Sequence, residues 1–332
     1  MKRQVITLLL AIMALAATQA QQISVVTSGG STSLHRTLKD AIESAENGSV
    51  IYLPGGGFSI ADSVKINNKI TIIGIGHKTS NENVDGITII SGNLWFNQGS
   101  SNSAVMGCYI SGNVIIGEDG AVNDMLIKYC NLNSVQIKNS QCFGTVINQN
   151  YVRGDSDFGL SSNVTISNNV ISRICNVESG TIKYNVVCYD NYYNYGYGPG
   201  NPRYSLEGVH RSTITNNIFR YGTGRGKILN GIDCQTSNNF LENGSFGDNP
   251  IEINASITDI LVNVNNWNIS PLSNFHFSDT YNQYENQVGI YGGTSFSDSQ
   301  LPPTPYIVGK VIPDHTDAEG KLNIKVRVKA SE

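Results

Sequence analysis

An asparagine returns at Asn150, Asn169, Asn185, Asn217 and Asn239, each time inside a stretch of one type: "TVINQNYV", "TISNNVI", "TIKYNVV", "TITNNIF" and "TSNNFL". The intervals are 19, 16, 32 and 22 residues. An isoleucine stands three positions before four of them, at Ile147, Ile166, Ile182 and Ile214. One step earlier, "MLIKYCNL" keeps the pattern with Ile127 in the isoleucine slot and Cys130 in the asparagine slot. "VMGCYISGNVII" is a looser copy before that. A unit of roughly 20 residues holding two or three short strands cannot bury its own apolar side, so the units must stack.

Stacking pairs each strand with its equivalents in the coils above and below. The result is parallel sheets around a continuous interior, with the coil itself as the return path between parallel strands. An asparagine repeated at one bend then lies over its own copies. Its amide both donates and accepts, so it can satisfy the backbone groups that a bend leaves open. Serine and glycine lack that two-sided amide, which is why asparagine is the residue to recur. The pattern predicts an all-β, right-handed parallel β-helix spanning 49–293. An irregular 16–22-residue period with a single helix disfavours a sandwich or a propeller.

That helix precedes the repeat. Leu34, Leu38, Ala41, Ile42 and Ala45 form one apolar face, with Ser33 as the expected N-cap and Asn47-Gly48 as the stop. A cap over 21–48 would cover the open end of the first coil. "SVIYLPGGGFSI" then reads as strand, Pro-Gly turn and strand. At the other end, 294–332 is a proline-rich link followed by two alternating strands, "YIVGKVI" and "KLNIKVRVK". They form either a hairpin covering the last coil or a sorting signal for an outer-membrane secretion route, the first being favoured because an open β-helix end needs a cover.

The opening "LHRTLKDAIESAENGSVIYLPGGGFSI" resembles the N-terminal cap of secreted right-handed parallel β-helix proteins of the pectate-lyase-like superfamily, and the "N-N-x-[IVF]" coils are similar to that superfamily too. "QVGIYGG" (287–293) resembles the closing motif of an uncharacterised bacterial branch. The resemblance is specific for fold and weak for chemistry.

Residues 1–20 read as a secretion signal: Lys2 and Arg3, an apolar run from Val5 to Ala17, and small residues leading to cleavage after Ala20. The expected location is therefore outside the cytoplasm, secreted, periplasmic or at the cell surface. No later run is long and apolar enough to span a membrane. Formal net charge is −4, and no basic cluster argues for nucleic acid. The chain holds 39 asparagines and 34 glycines, a composition of turns and polar ladders. Its six cysteines form no C-x-x-C and no zinc spacing. Several fall where a strand looks inward, so buried thiols are favoured over bridges.

Because the fold hosts enzymes and non-enzymes alike, function must come from side chains. The superfamily's hydrolase motifs are absent. "GDSDFG" brings Asp155 and Asp157 together, a setting that favours turn formers over a catalytic pair. "RYGTGR" partly echoes a lyase pattern. The resemblance would make Arg225 the base and Arg220 a carboxylate clamp, with calcium as cation, although the central proline and the calcium-binding aspartates are missing. No other cofactor or metal is indicated.

The 32-residue interval between Asn185 and Asn217 signals an insertion. It contains "YDNYYNYGYGPGNPRY", with six of the chain's sixteen tyrosines. Long loops on rigid scaffolds carry binding groups, and tyrosine offers a flat face plus a hydroxyl. The expected substrate-binding set is Tyr189, Tyr192, Tyr193, Tyr195, Tyr197, Arg203, Tyr204, His210 and Arg211. The partner it predicts is a polysaccharide, with an acidic one suggested by the arginines. The competing expectation is a non-catalytic structural or adhesive surface protein whose tyrosines only pack.

Overall fold

The structure is a computed structural model that describes residues 22–78, 86–188, 204–220, 228–229, 231–241, 248–251, 255, 257–263, 273–293, 296–303, 305–311, 313, 320–321 and 324–330. Two sheets of 11 and 15 strands wrap around one interior. From Ser49–Tyr52 onward, equivalent strands of successive coils pair parallel and in register, as in Ile127↔Ile147, Ile147↔Ile166, Ile166↔Ile182 and Ile182↔Ile214. This is the right-handed parallel β-helix that the repeat requires. The core is a column of aliphatic side chains, all five of those isoleucines being fully buried.

The asparagine ladder explains the period. Each backbone N–H in the ladder donates to the Oδ1 one coil on: Cys130 to Asn150, Asn150 to Asn169, Asn169 to Asn185, Asn185 to Asn217 and Asn217 to Asn239, at 2.8–3.0 Å. Each Nδ2 reaches back to the isoleucine carbonyl of the preceding coil, as from Asn150 to Ile127 and from Asn185 to Ile166. The residue before the ladder position takes left-handed backbone at Tyr129, Gln149, Asn168, Tyr184, Asn216 and Asn238. That conformation swings one side chain outward and the next inward, and asparagine tolerates it best. All six cysteines are free. Cys130 occupies a ladder slot, where its Sγ bonds Lys128 O at 3.3 Å and burial pushes the thiol up to about 12.

The cap corrects the expected helix start. Ser33 and Leu34 belong to the strand Thr32–His35, which pairs antiparallel with Ile23–Val26, and Leu34 is exposed. The helix is Leu38–Ser44, and Thr37 caps it by accepting from Asp40 N at 3.1 Å. Strand pairing claims Thr32–His35 because Ile23–Val26, paired on its other side with Ser49–Tyr52, would otherwise leave one ladder open.

A lateral module lies against the outside of the coils. The short helix Ile257–Ile260, the antiparallel pair Leu261–Asn263 and Asn274–Phe277, and residues 282–293 and 296–303 build it. Its apolar side chains form a second cluster with the outward row Val170, Val186, Ile218 and Phe240. From Gln287 the chain runs back along the coils as a strap. Asn216 Nδ2 donates to Gln287 O, Asn168 Nδ2 donates to Ile290 O and Gly292 O, and Gln149 Oε1 accepts from Ser297 N. The tail forms an antiparallel hairpin of Pro305–Val311 with Lys325–Ala330, on which Val311, Val326 and Val328 are exposed.

Candidate functional site

Three strands of the second sheet are longer than their neighbours or carry an added segment: Tyr151–Ser162, Val170–Glu178 and Leu206–His210. Their registers place Asp155 beside Arg173, and Asp157, Cys175 and Glu207 in one row across three coils. Adjacent members of such a row are about 4.8 Å apart. Alternation turns Ser156 and Phe158 inward and leaves Asp155 and Asp157 on the outer face. The two aspartates are thus strand residues and not turn formers. The flanking coils extend their pairing through this stretch, and pairing overrides the local turn preference of Gly-Asp-Ser-Asp.

Arg173, only 9% exposed, organises this face. Its Nη1 lies 3.3 Å from Asp155 Oδ2, its Nη2 bonds Glu207 Oε2, and its Nε donates to Tyr204 O at 2.9 Å. Asp157 Oδ1 accepts from Asn176 Nδ2 and Gly159 N, both at 2.9 Å. One strand-end further, Glu178 is in register with His210, and its Oε1 accepts from Arg211 Nε at 2.6 Å. Its slight burial works to raise the Glu178 pKa, but bonds from Arg211 and Ser179 and the charges of Arg211 and His210 outweigh this and lower it. The result is a fixed row of acceptors and guanidinium donors, suited to hydroxyl groups. Among the described residues no group of three His, Cys, Asp or Glu could hold a metal ion.

The expected binding residues divide sharply. Tyr189, Tyr192, Tyr193, Tyr195, Tyr197, Arg203 and Arg225 lie outside the described residues. Tyr204 ends the inserted segment, and its carbonyl is the one fastened to Arg173. His210 is half-buried, and its Nδ1 has no hydrogen-bond partner among the described residues. Arg211 is exposed and tied to Glu178. Arg220 is buried, 2% exposed. Sequence reasoning missed Arg173 and Asn176. The row was hidden in the sequence, because the 32-residue step from Cys175 to Glu207 spans the insertion, whereas the ladder step between the same two coils, Asn169 to Asn185, is 16.

No family model matches the chain, and neither a curated protein nor a solved structure matches it. What the fold and the site define is therefore a class: a right-handed parallel β-helix with a helical cap, a charged outer row and a lateral module. No helix among the described residues is long and apolar enough to cross a membrane.

Proposed function

We propose that this is an exported β-helix protein of the pectate-lyase-like type that binds a polysaccharide across the outer face of Tyr151–Ser162, Val170–Glu178 and Leu206–His210. The observation that carries the reading is the bond from Arg173 Nε to Tyr204 O, because Tyr204 is the last residue of the tyrosine-rich insertion and this bond holds it beside Asp155 and Glu207. Sugar hydroxyls would bond the charged row, and tyrosine faces would cover ring C–H surfaces. The signal-like first twenty residues and the resemblance to secreted β-helix proteins support export. In the row itself Arg173 is already neutralised by two carboxylates, so a neutral glycan fits it better than an acidic one.

Size-exclusion chromatography with light scattering tests this. The chain from Gln21 is mixed with neutral and acidic polysaccharides, with and without calcium. Co-elution that is lost in Asp157→Ala and in Tyr192→Ala/Tyr193→Ala is the expected result. A fall in polymer mass would make the protein an enzyme acting at this face. Failure of every polysaccharide to co-elute would overturn the proposal in favour of a structural or adhesive protein.

A further inference from the structure

One strand-end beyond the charged row, a second row of outward side chains runs along the coils. Phe143 pairs with Ser162, Ser162 with Glu178, Glu178 with His210 and His210 with Ile232, each in register with the next coil. Four steps of about 4.8 Å make the row roughly 19 Å long. The residues before the first four members, Cys142, Ser161, Val177 and Val209, are fully buried, so alternation turns the row itself outward.

The ends of the row are apolar and open to solvent. Phe143 is 43% exposed and Ile232 54%. Leu160, two residues before Ser162, is exposed as well and takes left-handed backbone, φ 58, in the irregular step between Asp157 and Ser161. A leucine rarely adopts that conformation. Single exposed apolar side chains need no explanation, but clustered ones do. Among the described residues of 49–241 the one other exposed large apolar side chain is Tyr52, which lies on the first sheet. Between its ends the row is polar. Glu178 Oε1 accepts from Arg211 Nε at 2.6 Å and from Ser179 Oγ at 3.0 Å, and neither bond uses Oε2. His210 Nδ1 has no hydrogen-bond partner among the described residues. A hydroxyl both donates and accepts, so it can serve either group.

We propose that this row is a second binding strip, on which a linear neutral glycan lies lengthwise along the coils. Phe143 stacks on the C–H face of one sugar ring, Leu160 and Ile232 cover others, and Glu178 and His210 bond hydroxyls of the units between. Apolar contact area with a few fixed polar groups is what orients such a ligand. Arg211, the cation beside the row, is already paired with Glu178, so a neutral chain fits better than an acidic one. The strip extends the glycan-binding face proposed above and stands only if that face binds glycan. It adds a length requirement, because a chain held at Glu178 must cross two coils to reach Phe143.

The test is isothermal titration calorimetry of the chain from Gln21 with cello-, xylo- and manno-oligosaccharides, from disaccharide to hexasaccharide. Affinity should rise with length in at least one series and then level off. Phe143→Ala should weaken the hexasaccharide roughly tenfold, the scale of one lost ring contact, and leave the disaccharide unchanged. Phe143→Trp keeps a flat face and should retain the gain. Phe143 is exposed, so neither change disturbs the core. Asp157→Ala, on the charged row, should weaken every length. If affinity ignores chain length, or Phe143→Ala binds the long oligosaccharides as the parent does, the strip is refuted while the glycan-binding face stands. If no oligosaccharide binds, the strip is refuted, and a lack of polysaccharide co-elution then refutes the face as well.

Discussion

Replacing Asn185 by leucine measures what the ladder contributes. The side chain is fully buried. Its Nδ2 donates to Ile166 O, Lys183 O and Asn217 Oδ1 at 2.8, 3.0 and 2.9 Å, and its Oδ1 accepts from Asn169 N and Nδ2, both at 3.0 Å. Leucine removes all five bonds and strands the Asn169 N–H, at about 1–3 kcal/mol for that donor and about 0.5–1.5 for each other bond. Added apolar burial returns about 1.5–3 kcal/mol. The net loss is therefore roughly 4 kcal/mol, large against a stability of about 5–15. Cysteine should cost about half as much. The chain already uses it at Cys130, whose Sγ bonds Lys128 O and, at 3.6 Å, Val105 O of the coil before. Urea unfolding followed by circular dichroism gives the midpoints. Hydrogen exchange is needed beside it, because stacked repeats need not unfold in one step. Protection should fall in the coils around Asn169 and Asn217 and persist in the cap strand Ile23–Val26. If Asn185→Leu stays within about 1 kcal/mol of the parent, the ladder is ornamental and the reasoning fails.

Three further outcomes follow from the coordinates. His276 Nδ1 lies 2.5 Å from Glu285 Oε1 and its Nε2 3.3 Å from Asp298 Oδ2, with the ring stacked on Tyr291 at 3.9 Å. Burial works to lower its pKa, but the bonds and charges of Glu285 and Asp298 prevail and raise it above 6.5. The clasp's contribution is thus complete below pH 6.5 and is lost as pH rises through the folded value, so exchange of the Ser297 amide should accelerate across that window and stay flat in His276→Gln. Gly92→Ala puts a Cβ 2.3 Å from Ile60 O at φ +125, whereas Gly57→Ala meets nothing within 4 Å. Denaturant midpoints should show a loss of about 2 kcal/mol or more for the first and less than about 0.5 for the second. Arg173→Met removes the cation shared by Asp155 and Glu207 and frees Tyr204 O. Because both carboxylates are about a third exposed, the loss should be about 1–2 kcal/mol, below that of a fully buried pair, and protease sensitivity near Tyr204 should rise.

Periodic contacts were legible in the sequence and aperiodic ones were not. The ladder shows itself because Asn150 through Asn239 repeat a bond that every coil needs, and even the Cys130 substitution follows from its spacing. The 32-residue interval marked an insertion for the same reason. The helix start was misplaced because Leu34 continues the helical period by coincidence, while its strand partner Ser24 lies ten residues away. Asp155 and Asp157 misled because turn preference is local and the pairing of Asp155 with Arg173 is not. Apart from "QVGIYGG", the lateral module left no periodic signal: Asn168 meets Gly292 across 124 residues, and each such contact occurs once.

The outward and inward residues at each bend are nevertheless linked by one conformation. Left-handed backbone at Asn168 and Asn216 sends Asn169 and Asn217 into the ladder and leaves the first asparagine of each pair facing out. The strap binds that outward column: Asn216 holds Gln287, Asn168 holds Ile290 and Gly292, and Gln149 holds Ser297. At Tyr184 the column presents a ring instead, and a Cβ on Gly292 or Gly293 would approach it to 2.2 or 2.7 Å. The doublet "NN" and the closing "GG" are therefore two sides of a single contact, one supplying outward amides and the other close approach. A strap held at several coils resists their sliding or separation, as neighbour-only contacts in a solenoid cannot. It also brings Gln300 to His77, 223 residues away in sequence.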